Sequence, residues 1–197
     1  MQNKKELTAI ILAGGNSSRM KQDKGLVFLQ GKMLIKHVIE KVKEITGTII
    51  IITKNPAYRQ FGYPCISDMY NNTGPLGGIY TGLVHSSTEK NLVVGCDTPF
   101  LSVYTLKALV ENSNKENVLV TEHKGRVEPL CAIYSRNCIK HFHELLKKGQ
   151  LKMTDALRDM NTVLINFDNQ DWITNKEFSN INTPEELNDY NNLQIKP

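Results

Sequence analysis

Residues 7–24, LTAIILAGGNSSRMKQDK, decide how the rest of the chain is read. Residues 7–12 form a short apolar run with β-branched members, the pattern of a buried strand. The run breaks at Ala13-Gly14-Gly15, passes through Asn16-Ser17-Ser18, and then delivers Arg19, Lys21 and Lys24. Glycines let backbone N–H groups approach an anion closely, and the cations neutralise it, so this pattern predicts a phosphate-holding loop. It matches neither G-x-x-x-x-G-K-[ST] nor G-x-G-x-x-G. Taken alone, Gly14-Gly15 is equally well read as a plain turn after a strand.

Outward from that loop, residues 33–45 place Leu34, Val38, Val42 and Ile45 on one stripe, the spacing of an amphipathic helix. Residues 48–53 (TIIIIT) are continuous and β-branched, as in a parallel strand covered on both faces. Strand, helix and strand in that order predict a βαβ unit. Residues 65–67 and 91–96 (NLVVGC) read as further strands, each running into a carboxylate, Asp68 and Asp97. Ligands of open α/β sheets bind past the carboxyl ends of the strands, which is where Asn55, Asp68 and Asp97 fall. Each has a plainer reading: Asn55-Pro56 as a turn, Asp68 as a cap, Asp97 as a turn residue before Thr98-Pro99. Asp68 also suits the adjacent N1–H and N2–H donors of a guanine edge. Gly77 and Gly78, inside a helix opened by Pro75, each cost ~1 kcal/mol against alanine, which predicts a close neighbour, either a nucleotide or the sheet. Downstream the pattern gives a helix at 104–110, a strand at 118–121, a polar turn at 125–128 and a strand at 129–134 paired antiparallel to the one before. A helix at 138–148, a short helix at 153–160 capped by Thr154 and a strand at 163–167 follow. Thr183, Pro184 and Glu186 form a capping box for a closing helix.

With 197 residues, 40% hydrophobic and 22% charged, the chain is long enough for one sizeable core. The net charge of +4 is spread along the sequence without basic runs interleaved with aromatics, so an anionic small substrate is expected and nucleic acid is not. No apolar run approaches the ~20 residues of a membrane span, so no membrane association is expected. The start of the chain has no secretory pattern, and the expected compartment is the cytoplasm. Cys65, Cys96, Cys131 and Cys138 lack any C-x-x-C spacing and are expected to be reduced thiols.

The full string LAGG-x-S-x-RM-x-x-DK at 12–24 resembles the signature loop of nucleotidyltransferases that activate a phosphorylated acceptor with a nucleoside triphosphate. With LAGG rather than LAAG it is similar to the molybdenum cofactor guanylyltransferases. GPLGG at 74–78, CDTPF at 96–100, G-x-x-x-P-L-x-A-x-Y at 125–134 and N-x-NTPEEL at 180–187 resemble further elements of that family in the same order. Lys21 departs from it, standing where the family has glycine. The resemblance implies one α/β domain over 1–197, a three-layer αβα sandwich with a mostly parallel twisted sheet and the Rossmann-like nucleotidyltransferase fold. Residues 1–100 would be mainly the nucleotide-binding half and 101–193 mainly the acceptor half. It implies transfer of GMP from GTP to the terminal phosphate of molybdenum-molybdopterin, forming the guanine dinucleotide cofactor and releasing pyrophosphate. Leu12, Ala13, Gly14, Gly15, Lys24, Asn55, Asp68 and Asp97 would bind GTP; Arg19, Lys24 and Asp97 would be catalytic; Asp97 would hold Mg²⁺; Asn180 and Asn182 would lie on the acceptor side. GTP and a molybdopterin-type acceptor are the implied ligands, with an adaptor or molybdoenzyme-maturation protein as a further expected partner. A related enzyme using CTP or a sugar or alditol phosphate, and a non-catalytic nucleotide sensor on the same scaffold, are the alternatives.

Overall fold

The computed structural model describes residues 7–14 and 23–192. β1 (Leu7–Leu12) lies between β4 (Thr48–Ile52) and β6 (Lys90–Gly95), parallel to both. Among the described residues the main sheet has seven strands in the order β5-β4-β1-β6-β8-β7-β9, with β5 at Cys65–Ile66, β7 at Val118–His123, β8 at Arg126–Ser135 and β9 at Thr162–Asn166. Only β8 in it runs against the others, pairing antiparallel with β6 and β7, as expected of the 129–134 run. A separate two-residue hairpin, β2 (Phe28–Leu29) and β3 (Lys32–Met33), turns through Gln30-Gly31, both with positive φ.

The central strands are predominantly apolar because helices cover both faces, with polar residues only near their starts: Thr8, Thr48, Lys90 and Asn91. Side chains alternate across a strand, so Ala9 and Ile11 of β1 join one buried cluster while Ile10 and Leu12 join the other. On the first face α1 (Leu34–Lys43) contributes Ile35, Val38, Ile39 and Val42, and α3 (Val103–Asn112) contributes Leu106 and Leu109. On the second, α2 (Gly74–His85) supplies Leu76, Ile79 and Leu83, α4 (Cys138–Lys147) supplies Phe142, Leu145 and Leu146, and α5 (Met153–Arg158) supplies Ala156 and Leu157. Each fully buried isoleucine contributes ~1.5–3 kcal/mol of transfer free energy. The closing helix α6 (Pro184–Asn192) packs with the hairpin around Leu29, Leu34 and Ile181. Its capping box is formed: Glu186 N–H donates to Thr183 Oγ1 at 3.2 Å, and Glu186 Oε2 accepts from Thr183 N–H at 3.3 Å.

Two expectations are corrected and a third, left open between two alternatives, is resolved. Thr154 does not cap α5; Lys152 precedes that helix and Thr154 lies within its first turn. The polar turn is only Lys124-Gly125, both with positive φ, so Arg126, Val127 and Glu128 belong to β8. The glycines of α2 are explained inside the protein: a Cβ on Gly77 would meet Thr73 Oγ1 at 1.8 Å, one on Gly78 would meet Leu12 at 3.2 Å, and one on Gly82 would meet Ile10 Cγ2 at 2.5 Å. The helix–sheet packing alternative therefore holds at Gly78, while the neighbour of Gly77 is the helix's own N-cap residue.

Gly82→Ala is expected to lower stability by about 1 kcal/mol, overpacking outweighing the helix-propensity gain, as read from the urea midpoint. In a double-mutant cycle, Ile10→Val, which removes the Cδ1 methyl lying 2.8 Å from the new Cβ, should cost less in the Gly82→Ala background than in wild type.

Candidate active site

In register, Leu12 of β1 sits opposite Ile52 of β4 and Gly95 of β6. The residues that follow these strands therefore emerge together at one edge of the sheet. They surround a cavity of about 660 Å³ whose lining includes Leu12, Ala13, Gly14, Lys24, Asn55, Asp68 and Asp97. Gly15 and Arg19 of the expected site, and Lys21, lie outside the described residues. The sheet ladder continues past β1: Ala13 N–H donates to Ile52 O at 2.9 Å, and Leu12 O accepts from Cys96 N–H at 3.0 Å. Leu12 and Ala13 thus offer the cavity a wall, and the Ala13 amide is already engaged.

Lys24 and Asp97 meet although 73 positions separate them. Lys24 Nζ lies 3.5 Å from Asp97 Oδ2 and donates to Asn182 Oδ1 at 2.5 Å. Both side chains stay accessible, 25% for Lys24 and 18% for Asp97. The segment carrying Asn182 is clipped to the same loop, Ile181 N–H donating to Asp97 O at 3.0 Å. Asn180 lies apart from this pair, at a smaller apolar cavity of about 190 Å³ that shares Pro75 and Leu130 with the first.

The residues around Lys24 are fixed by Asn55, read from the sequence as a GTP-binding residue or a turn, and by Tyr58, to which the sequence reading assigned no role. Tyr58, fully buried in the 3₁₀ turn Pro56–Phe61, donates its hydroxyl to Asp23 Oδ1. Asn55 Nδ2 donates to Asp23 Oδ2 at 3.1 Å, while Asn55 Oδ1 accepts from Ala57 N–H at 3.0 Å, so the turn reading of Asn55 is realised. A Cβ on Gly25 would stand 2.3 Å from the Tyr58 hydroxyl, which is why the residue after Lys24 is glycine. Burial holds the Tyr58 phenol far above its ordinary range, keeping it a donor. The one clue was Asp23, adjacent to Lys24 within the quoted string. Nothing local in the sequence marked Tyr58.

Asp68 does not cap α2, whose N-cap is Thr73. Among the described residues its Oδ1 is buried with no hydrogen-bond partner, and burial pushes its carboxyl above the usual carboxylate range, opposed by the charge of Lys54. An unpartnered buried acceptor on a cavity wall is suited to a ligand's N–H donors. His143 and His141 are structural: Tyr70 Oη is 3.1 Å from His143 Nδ1, and His141 Nε2 is 3.2 Å from Ala156 O. Cys96, Cys131 and Cys138 are buried free thiols, Cys131 and Cys138 each pushed up to about 12.

For a divalent cation, Asp97 offers a hard oxygen donor at the cavity wall. No group of three or more His, Cys, Asp or Glu forms a metal cage among the described residues. Magnesium takes one or two carboxylates and completes its shell with phosphate oxygens and water, so this donor set fits an ion that arrives with a nucleotide.

A family model described as "MobA-like NTP transferase domain" matches residues 9–163. The chain belongs to this family. A protein of Flavobacterium johnsoniae named "Probable molybdenum cofactor guanylyltransferase" is 38% identical over 186 residues, covering 94% of this chain and 96% of that one. The "Molybdenum cofactor guanylyltransferase" of Vibrio campbellii is 32% identical over 189 residues, covering 94% and 95%. In fold, the chain is similar to the Archaeoglobus fulgidus molybdopterin-guanine dinucleotide biosynthesis protein A, with a TM-score of 0.78 at 24% identity over 96% of this chain and all of that one. Membership of the MobA-like family makes the chain a nucleotidyltransferase. No helix among its described residues is long and apolar enough to cross a membrane.

The raised Asp68 carboxyl fixes a sign. A carboxyl whose folded pKa exceeds its unfolded one binds its proton more tightly when folded, so its charge costs stability above the folded pKa and nothing below the unfolded one. Asp68→Asn is therefore expected to be more stable than wild type at pH 7, with the gain vanishing as pH falls towards 4, in parallel melting curves.

Proposed function

We propose that this member of the MobA-like family transfers GMP from GTP to the terminal phosphate of a molybdenum-bearing molybdopterin, releasing pyrophosphate. The observation that supports this best is that one cavity carries both the Lys24–Asp97 pair and the unpartnered carboxylate of Asp68. The first is a place for phosphates, the second for a base with adjacent N–H donors, and guanine has two in N1–H and N2–H. The names of the relatives, covering nearly the whole chain, agree with that assignment.

In this reading an ionised phosphate oxygen of the acceptor attacks the α-phosphorus in line. The new P–O bond forms as the bond to the β-phosphate oxygen breaks, and the electron pair leaves with pyrophosphate. The nucleophile is already an anion, so no general base is needed; the work is to align two anions and neutralise the charge they accumulate. Lys24 supplies a fixed positive charge beside the phosphates, and Arg19, outside the described residues, would be a second by its place in the signature string. Gly14 brings backbone close to the phosphates, with Leu12 and Ala13 as the wall behind it, and Gly15 would share that role. Asp97 would hold Mg²⁺, which when bound neutralises phosphate oxygens. Asp68 accepts from the base. Asn55 lines the cavity, where it would meet the nucleoside, and through its hydrogen bond to Asp23 it braces the residues around Lys24. Asn182 keeps Lys24 aimed, and Asn180 faces the smaller cavity on the acceptor side.

Asp97→Ala is expected to fold as wild type, by melting temperature, and to lose at least about 10²-fold in pyrophosphate release. Lys24→Met should lose a similar factor. Chelating the divalent ion should silence wild type and add nothing to the loss in Asp97→Ala. GTP should support turnover where CTP and ATP do not. Wild-type rates in Asp97→Ala would reject the metal and phosphate assignment, and GTP binding without pyrophosphate release in wild type would mark a sensor.

A further inference from the structure

Lys54 is the second residue past β4 and lines the same cavity as Asp68. Its ammonium donates to Asn71 Oδ1, a side chain on the loop that also carries Asp68. The charge of Lys54 is the one that opposes the desolvation of Asp68, so the two side chains already interact. Lys24, the other lysine of the cavity wall, is committed to Asp97 and Asn182. Lys54 is exposed, and its present partner is an sp² amide oxygen.

We propose that Lys54 is a specificity-determining residue that donates to O6 of the bound guanine while Asp68 accepts from N1–H and N2–H; this rests on the reading above that Asp68 takes the base. Guanine O6 is a carbonyl-type acceptor of the same kind as the Asn71 oxygen, so Lys54 exchanges one such partner for another and no hydrogen bond is lost on binding. The pair then presents a donor beside an acceptor, the complement of O6 beside N1–H. Adenine puts an amino donor where guanine has O6, and an ammonium has no acceptor to offer it. Cytosine offers a single amino group, which leaves one carboxylate lone pair unanswered. Asp68 by itself accepts from any base that carries an N–H; Lys54 supplies the rejection.

The test is calorimetric binding of GTP, inosine triphosphate and 6-thioguanosine triphosphate to the full chain with Mg²⁺ present. Inosine lacks the N2 amine, and the thio compound keeps both N–H donors but replaces O6 by sulfur. Wild type is expected to prefer GTP over the thio compound by on the order of ten-fold, the effect of a charge-assisted hydrogen bond. Lys54→Met should bring that ratio to about one while leaving the GTP to inosine triphosphate ratio unchanged, and Lys54→Arg should keep both ratios. Lys54 is exposed, so the variants should remain folded, with Lys54→Met at most slightly less stable through the loss of its charge near Asp68, as melting curves without ligand would show. Equal weakening of all three nucleotides in Lys54→Met, no weakening, or a wild type blind to the sulfur substitution would each overturn the proposal and leave Asp68 as the base residue. An unchanged GTP to inosine triphosphate ratio in Asp68→Asn would instead overturn the base assignment itself.

Discussion

Lys24 and Asp97 stand 3.5 Å apart where two adjacent parallel strands end, and most of the surrounding structure serves to keep them there. A partly exposed ion pair contributes at most about 1 kcal/mol, so this contact does not hold the fold together. The dependence runs the other way. Asp97 is placed because β6 pairs with β1, and because Ile181 N–H binds its carbonyl. Lys24 is placed because Asp23, one residue earlier, is fixed by Tyr58 and Asn55, and Gly25, one residue later, packs against the Tyr58 hydroxyl with no room for a side chain. The result is a cation and an anion whose separation is set by the scaffold before any ligand arrives, which is the requirement for stabilising developing charge without reorganisation.

The loop of Asp97 is supported from behind by a second network of hydrogen bonds. Glu177, buried to 1%, accepts from Ser102 N–H at 2.7 Å and from Thr105 Oγ1 at 2.6 Å, closing the start of α3. Lys41 of α1 donates to Pro99 O, and its ammonium is held below its ordinary range by burial, an effect that the nearby Glu177 opposes. Thr98 Oγ1 donates to Gly95 O at 2.9 Å. Thus the segment after Asp97 is tied to α1, to α3 and to the chain near residue 180, and the two halves of the sequence interleave at the charged end of the cavity.

The layered fold was legible because both faces of the central strands are buried. That requirement writes continuous β-branched runs, and the runs at 7–12, 48–53 and 91–96 fall on β1, β4 and β6 to within a residue. The capping box of α6 was legible because its partners lie three residues apart. What spacing could not reveal was contact between distant segments. Asn182 reaches Lys24 across 158 positions, and no local period encodes that. Tyr58 is a buried aromatic in a short turn, a pattern that fits ordinary core packing; only the carboxylate above its hydroxyl gives it a further role. Thr154 misled because threonine is a good cap in general, while α5 enters through Lys152 with no side-chain cap.

The two carboxylates of the cavity are treated in opposite ways, and the difference follows from what each must meet. Asp97 sits beside a lysine and remains open to water, so its charge is screened and available to a hard cation. Asp68 lies between Gly14 and Gly78, whose Cβ positions would stand 3.6 Å from its oxygens, and one of those oxygens has no donor among the described residues. Glycine at both positions clears a slot in which a planar group can approach the carboxylate edge-on. A side chain at either would crowd the slot and leave the acceptor still without a donor, so the cost would stay while the access was lost. In the function proposed above, a base bearing adjacent N–H donors would satisfy that oxygen, and the half-buried carboxyl would then regain on binding what its desolvation costs in the free protein.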